Sequence, residues 1–264
     1  MSRSGPQRGS GRAQLTAALL RAWRTSVPVE EWRGFDEAAL RRGCAAQIEF
    51  GKRRQRRQTL LRVSSAPAAL AGSGPGAGTR SWSVIEVVVD DMPFLVDTLG
   101  MTLAQLGLSV QLIIHPILRV WRDRAGVIQS LHAQIESGPE AEGGARESWQ
   151  YWRIDRIGEQ PECEQLRRRL LAALADVRRA CADWMRMRNS VVKLCADISR
   201  HPPPLPADVI AESRALLQYM EAHHFTFLGL RESRLRRGAR GPVLLPVPGS
   251  ALGLLRRRHC RRPP

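Results

Sequence analysis

The fold is decided by residues 81–107, which have the sequence SWSVIEVVVDDMPFLVDTLGMTLAQLG. Apolar side chains occupy both alternating sets of positions in 81–89, as expected of a strand that is covered on both faces. Leucines then recur at intervals of four, four and three residues, which places them on one stripe of a helix. Pro93 suits a first helical turn, Asp91 can accept a hydrogen bond from that turn, and Gly107 can end the helix. The stretch predicts a strand, a tight turn and an amphipathic helix.

Alternating apolar residues predict further strands after this helix, at 108–120, 127–136 and 149–157. The first of these is interrupted at Pro116, which lacks the amide hydrogen that a central strand would donate. A long amphipathic helix is predicted over 162–187, because its apolar residues are spaced three or four positions apart. The order is therefore β-α-β-β-β-α. We expect an α+β fold close to the ferredoxin-like β-α-β-β-α-β plan.

The 264-residue chain carries a formal net charge of +16, with 41 lysines and arginines against 25 acids. A basic surface can bind nucleic acid by releasing counterions from phosphates. The cations are nearly all arginine, however, and residues 231–264 alone hold ten arginines and one acid. A surplus of positive charge at one end of the chain does not indicate a nucleic-acid-binding face on the segments predicted to form helices and strands. Nucleic acid is therefore not the expected partner, and a basic nucleic-acid-binding protein is the second alternative function.

The five cysteines are widely spaced and form no C-x-x-C pair, so neither a disulfide framework nor a zinc site is expected. No apolar run approaches the roughly 20 residues needed to cross a bilayer. We therefore expect no membrane partner and a cytoplasmic location. Residues 1–29 contain no acid and five arginines, which resembles an organelle transit peptide in composition. The preferred interpretation is a polar start that leads into a helix.

Residues that could perform catalysis do not form a recognisable constellation. A dinucleotide site needs a glycine-rich turn between a strand and the helix that follows it. The glycine-rich run at 72–78 precedes a strand instead, which favours a flexible linker. Lys52 and Lys193 are the only lysines, and neither lies in a recognisable catalytic setting. The pair His223-His224, at a helix-to-strand junction, favours surface residues over metal ligands. We expect no catalytic, cofactor-binding or metal site in this chain.

The turn Asp91-Met92-Pro93-Phe94-Leu95 is the candidate for ligand binding. It resembles the Asp-x-Pro-Gly-Leu-like turn that small regulatory domains of the ACT type have between their first strand and first helix. In those domains the backbone amides of the turn, at a helix amino end, can hold the carboxylate of an amino acid. Phe94 occupies the place of the glycine, where a side chain blocks the close approach that glycine permits. An effector site and a purely structural turn both stay open.

A longer stretch, VVVDDMPFLVDTL at 87–99, is very similar to a signature of the large bacterial NAD-specific glutamate dehydrogenases. Further matches follow in the same order as in that family. They are Ile114-His115-Pro116-Ile117, Glu147-Ser148, Ile154-Asp155-Arg156, Asp176-Val177-Arg178, Asp183-Trp184-Met185, residues 224–229 with Arg231-Glu232, and residues 248–256. Together the matches cover residues 36–256. The chain thus resembles the amino-terminal region of that family.

The resemblance implies an ACT-like regulatory and assembly region at the start of a very long polypeptide. In the family, a separate domain much further along oxidatively deaminates glutamate to 2-oxoglutarate and ammonium and reduces NAD. The family's catalytic residues match no position of this chain, so we expect it to bind no cofactor and to be inactive alone. An amino-acid effector and self-association, or packing on other parts of the full-length polypeptide, are the expected partners. A free-standing ACT-type sensing or oligomerisation module is the first alternative.

These patterns divide the chain into six predicted segments. They are a disordered start (1–12), a helical segment (13–65) ending in a short strand near Leu60, a Gly/Ala/Pro linker (66–80), the ACT-like domain (81–200), a helix from Ala207 with a strand over 223–234 that begin the next family region (204–256), and a basic tail (257–264). The tail departs from the family pattern, and we expect it to reflect a truncated or shifted reading frame.

Overall fold

The computed structural model describes residues 11–64, 82–133, 143–158, 160–238 and 241–256. The chain divides into two compact units, Met1–Ala173 and Leu174–Pro264. The predicted linker, the predicted basic tail and the first ten residues of the predicted disordered start lie outside the described residues.

Among the described residues of the first unit, six strands, numbered β1 to β6 along the chain, form one antiparallel sheet. Five of them have the order β1-β2-β6-β4-β5, and β3 also pairs with β6. The strands are β1 (Leu60–Ser64), β2 (Trp82–Asp90), β3 (Val110–Ile114), β4 (Ile117–Arg122), β5 (Ile128–Ala133) and β6 (Ala145–Asp155). β2 and β6 pair along nine residues, from Trp82 opposite Asp155 to Asp90 opposite Glu147. In this unit the strands predicted from alternation are confirmed over the described residues, which leave out Ser81 and 134–136, and β6 begins four residues before the predicted Trp149.

β3 and β4 both pair with β6 and behave as one strand broken at Pro116. Ile114 lies opposite Tyr151 and Ile117 lies opposite Ser148, so the register is the same on both sides of the break. Pro116 has no amide hydrogen, but its carbonyl accepts a 3.1 Å hydrogen bond from the backbone of Trp149. The predicted interruption at Pro116 therefore removes hydrogen bonds only near the proline. It does not shift β4 relative to β3 along β6.

Two amino-terminal helices, α1 (Arg12–Ser26) and α2 (Glu37–Gly51), pack on one face of the sheet. Asp36 caps α2 by accepting hydrogen bonds from two amides of its first turn. Trp23 Nε1 donates to Gln47 Oε1 at 3.1 Å, and Gln47 Nε2 donates to the carbonyl of Gln150 at 2.9 Å. These bonds satisfy polar groups inside an otherwise apolar interface, so they fix how the helices lie against β6.

The opposite face of the sheet is buried as well. Val84 and Val88 belong to the cluster with α1 and α2, so Ile85, Val87 and Val89 point the other way, and all are buried. Buried leucines line α3 (Leu95–Gln105) and the start of α4 (Gln160–Arg200). We infer that these two helices cover this face. α4 continues to Arg200 rather than ending at the predicted Met187.

The second unit holds the rest of α4, α5 (Ala207–Tyr219) and short strands. These strands are β7 (Gly229–Leu230), which pairs with β10 (Leu252–Gly253), and β8 (Ser233–Gly238), which pairs with β9 (Gly241–Pro246). The single strand predicted over 223–234 is wrong at its beginning. Met220–His224 forms a π-helical turn in which His223 has a φ of +66°, and the first strand residue is Gly229.

Candidate functional site

The predicted effector turn, residues 91–95, lies where β2 ends and α3 begins. The amide of Asp91 donates a 3.0 Å hydrogen bond to the carbonyl of Arg146, and Arg146 Nη2 donates to Asp91 Oδ2 at 2.6 Å. The Asp91 carboxylate is therefore held by β6 and does not cap the helix. The expectation that Asp91 caps α3 is wrong, because the cap position is Phe94 and α3 begins only at Leu95.

Phe94 has backbone angles of φ +67° and ψ +12°, in the left-handed region that favours glycine. The chain thus keeps a glycine-like backbone at this position while carrying a phenylalanine, which costs about 1 kcal/mol. The ring is 47% exposed, so it lies partly in solvent beside the amino end of α3. Met92 is half-buried, Pro93 is exposed and Leu95 is buried, so the turn has a fixed base and an exposed tip.

A cluster of ion pairs adjoins this turn on the sheet. Glu147 is 0% exposed, and its carboxylate accepts hydrogen bonds from Arg54 Nη1 at 2.8 Å, Arg122 Nε at 2.8 Å and Arg122 Nη2 at 2.9 Å. Trp149 Nε1 donates a further bond at 3.0 Å. Arg54, itself 2% exposed, also forms an ion pair with Asp90, the last residue of β2. Two arginines and two carboxylates balance one another, which is what a buried charge requires.

Arg54 reaches this position because the chain after α2 pairs with the loop before β5. The amide of Arg54 donates to the carbonyl of Gly126 at 3.0 Å, and the amide of Ile128 donates to the carbonyl of Lys52 at 2.9 Å. Gly126 has a φ of +81°, and a side chain there would meet the Arg54 carbonyl oxygen at 2.5 Å. Only glycine allows this approach, so Gly126 helps to deliver the Arg54 guanidinium to Glu147.

His115 lies at the break between β3 and β4. Its Nε2 atom and the Oγ atom of Ser148 share a 2.8 Å hydrogen bond, and Ser148 Oγ also accepts from Gln150 Nε2 at 2.8 Å. Burial lowers the pKa of the His115 imidazole, while the charge of Asp91 raises it by less. Ser148 is fully buried, so this pair has no accessible nucleophile and anchors the strand break instead.

The remaining candidates from the sequence do not join this site. His223 and His224 are exposed, and they stack on Trp184 and Tyr219 with ring centroids 5.5 and 4.2 Å apart. Within the part of the chain that the structure describes, no group of three or more His, Cys, Asp or Glu residues is placed to hold a metal ion. Over the same residues, no helix combines the length and apolar character needed to span a bilayer.

The second unit contains one further polar cluster that sequence reasoning did not assign. Asp183 Oδ2 accepts a 2.8 Å hydrogen bond from the amide of Gly253, and its carboxylate forms an ion pair with Arg256. The hydrogen bond from Arg256 is the main reason that the pKa of Asp183 falls to about 2, with the Gly253 amide adding to it. Two stretches that resemble the same family, 183–185 and 248–256, therefore contact one another. Their co-occurrence was the only signal for this contact in the sequence.

The first unit is thus an α+β domain in which a helix-covered antiparallel sheet carries an ion-pair cluster beside an exposed turn. The family model of the glutamate dehydrogenase ACT1 domain matches residues 19–170. The chain belongs to this family. The predicted resemblance to the amino-terminal region of the large glutamate dehydrogenases is confirmed.

Two curated relatives agree with this assignment. The NAD-specific glutamate dehydrogenase of Pseudomonas aeruginosa is 30% identical over 174 residues, which are 66% of this chain and 11% of the relative. The NAD-specific glutamate dehydrogenase of Halomonas elongata is 33% identical over 175 residues, which are 65% of this chain and 10% of the relative. The chain therefore matches about a tenth of the length of these proteins.

Proposed function

We propose that this chain is the amino-terminal regulatory and assembly region of an NAD-specific glutamate dehydrogenase. The observation that carries the proposal is the family match over residues 19–170, which contains all six strands of the sheet in the first unit. In this proposal, glutamate is oxidised to 2-oxoglutarate and ammonium, with reduction of NAD, by another part of the enzyme. A cytoplasmic location fits the widely spaced cysteines and a role in glutamate catabolism.

The proposed domain type is ACT-like, with a modified ferredoxin-like sheet. β2, the broken strand β3-β4 and β6 supply the first three strands of the β-α-β-β-α-β plan, with α3 and α4 as its helices. The plan's last strand would pair antiparallel with the first. β1 lies at that position, antiparallel to β2, although it precedes β2 in the chain. β5 then extends the other edge of the sheet as a hairpin with β4.

An amino-acid effector is proposed to bind at the turn 91–95. The amino end of α3 offers backbone amides to a carboxylate, and Phe94 keeps the backbone conformation that glycine would provide. Calorimetric titration of the 264-residue chain with the protein amino acids tests this. Saturable binding that weakens in Asp91→Asn and strengthens in Phe94→Gly supports an effector site, with Asp197→Asn as an exposed control. Equal binding by all variants, or no binding, leaves the turn structural.

The assembly role is proposed for the second unit. Its exposed surface includes large apolar side chains on α5 and on the β8-β9 hairpin, among them Leu216, Tyr219, Leu235 and Leu244. Apolar surface of this kind is typical of regions that pack on another protein surface. We propose that it packs on other parts of the full-length polypeptide or on a second copy.

A chimera tests the proposed function as a whole. The segment of the Pseudomonas aeruginosa enzyme that aligns with residues 19–170 would be replaced by these residues. We expect a protein of native assembly size that forms NADH from glutamate. A matched chimera with a flexible linker in place of the same segment should form little or no NADH, because the linker cannot replace the folded sheet against which the rest of the enzyme packs. A chimera that behaves no better than the linker control would contradict the proposal. The isolated 264-residue chain should form no NADH with glutamate and NAD.

A further inference from the structure

Three aromatic side chains near the start of β2 bury hydrogen-bonding atoms that have no partner. They are the hydroxyl of Tyr151, the indole Nε1 of Trp82 and the indole Nε1 of Trp32. Tyr151 is 2% exposed and Trp82 is 7% exposed. Buried polar atoms are nearly always paired, because leaving one unpaired forfeits its hydration. Two of the three side chains lie on the neighbouring strands β2 and β6, and the third lies on the connection between α1 and α2.

One of these side chains, Trp82, contacts Arg153 directly, and Trp32 is connected to Arg153 through the ring of Phe35. Its guanidinium carbon lies 5.1 Å from the centroid of the Phe35 ring and 5.7 Å from the centroid of the Trp82 ring. Phe35 in turn packs edge-on against Trp32, with ring centroids 5.7 Å apart. Tyr151 precedes Arg153 by two residues on β6, so both side chains lie on the same face of the sheet. Strand residues thus form a floor, and Trp32 with Phe35 forms a cover.

The cover is the connection between α1 and α2, residues 28–35. Three of its backbone hydrogen bonds close within the segment itself, from Glu31 to Pro28, from Arg33 to Glu30 and from Phe35 to Trp32. A segment with its own internal bonds can move as a unit without breaking them. In the closed arrangement water does not reach the three unpaired atoms. The cover carries Trp32 and Phe35, so access to the Trp32 indole and to the Arg153 guanidinium beside Phe35 requires the cover to lift.

The formal charges around the floor, one carboxylate and two guanidinium groups, sum to one positive charge. Glu86 lies opposite Tyr151 and is already paired with Arg62, whose Nε donates to it at 2.7 Å. Arg153 has further interactions of its own, so it contributes positive charge rather than a vacant donor. Indole N–H groups can only donate hydrogen bonds, and a phenol can donate one. Donors beside a buried cation are the complement of a carboxylate, and the rings suit a short apolar body.

We propose that residues 28–35 form a lid over a binding site for a small organic carboxylate, built from Tyr151, Trp82 and Arg153 with Trp32 on the lid. The carboxylate accepts hydrogen bonds from the tyrosine hydroxyl and the indoles while the Phe35 ring contacts its apolar body. Trp82 begins β2, whereas the turn 91–95 follows its end, so the two sites are separate. The lid site does not rest on the proposed function.

Phenylacetate and acetate are suitable probes, titrated into the full chain at constant ionic strength with chloride as the replaced anion. Tryptophan fluorescence should change saturably, and phenylacetate should bind more tightly than acetate. Tyr151→Phe keeps the ring and removes the hydroxyl, so the affinity should fall by about tenfold or more, as expected for the loss of a hydrogen bond to a charged group. Tyr219→Phe makes the same change on exposed α5 and should leave the affinity unchanged.

Amide exchange provides a second measurement that does not depend on the Tyr151 variant folding well. Phenylacetate should slow exchange at residues 28–35 in the unaltered chain, and Trp32→Phe should reduce this protection. Two results overturn the proposal. One is the absence of any saturable response to either acid. The other is binding that remains equally tight in both Tyr151→Phe and Trp32→Phe.

Discussion

Glu147 and Arg54 lie 93 positions apart in the chain, yet they form a 2.8 Å ion pair that solvent hardly reaches. The pair links the connection after α2 to the start of β6. Arg122 completes the cluster from β4, so two separate parts of the chain converge on the carboxylate that β6 carries. The cluster joins the amino-terminal helical segment to the sheet through charge as well as through apolar contact.

Glu147→Gln should destabilise the chain strongly. The change leaves Arg54 and Arg122 without their shared counter-charge in a buried place, and breaking such pairs costs about 3–5 kcal/mol of unfolding free energy. Urea unfolding followed by tryptophan fluorescence measures this. Glu49→Gln removes an exposed carboxylate that pairs with Lys52 and should change the unfolding free energy by less than about 1 kcal/mol. Similar losses in the two variants would show that the buried cluster has no special role.

The Phe94→Gly variant should be more stable than the Phe94→Ala variant. Both variants lose the half-exposed ring, but only glycine adopts the +67° φ angle without strain. The expected difference is about 1 kcal/mol in favour of glycine. Thermal unfolding of the two variants under identical conditions gives this difference directly. If alanine were the more stable residue here, the left-handed backbone at position 94 would be disproved.

Acid should weaken the contact between Asp183 and the segment 252–256. The pKa of Asp183 in the folded chain is about 2, below its ordinary value of 3.8. A carboxyl group whose pKa is lowered by folding stabilises the fold at pH values above its ordinary pKa. This contribution disappears as the pH falls from about 4 towards 2. The stability difference between the unaltered chain and Asp183→Asn should therefore be largest at pH 6 and shrink at pH 2.5. A difference that stays constant over this range would contradict the assigned ion pair with Arg256.

His115 should make stability depend on pH in a higher range. Burial lowers the pKa of His115 from 6.5, so the neutral ring is favoured in the folded chain. The neutral ring makes its full contribution to the unfolding free energy above pH 6.5, and this contribution is lost as acid protonates the ring. His115→Gln should flatten the dependence of unfolding free energy on pH between 7 and 5. His201→Gln, at an exposed position, should leave the slope unchanged, and equal slopes in all three proteins would refute the prediction.

Local periodicity was sufficient to predict β2, α3 and most of the sheet, because each of these elements buries a continuous set of side chains. It could not predict which partner a charged residue would choose. Asp91 suited a helix cap by position, but Arg146 on β6 holds its carboxylate. The residues around Phe225 alternate as in a strand, yet strand pairing begins only at Gly229, where Gly253 lies opposite. Arg54 lies in an arginine-rich stretch of the kind usually found on a surface. Its ion pair with buried Glu147 depends on the close approach of Gly126 to the Arg54 backbone, which the sequence pattern does not reveal.

The break at Pro116 has a consequence for how this region can vary. One long strand, β6, aligns the segments on both sides of the proline in a single register. Deleting or inserting one residue between 112 and 120 would displace one segment against the other and turn its apolar side chains to the wrong face of the sheet. Substitutions can be accommodated in this stretch, provided that apolar positions stay apolar and polar positions stay polar. The number of residues in this stretch is under much tighter constraint than their identity.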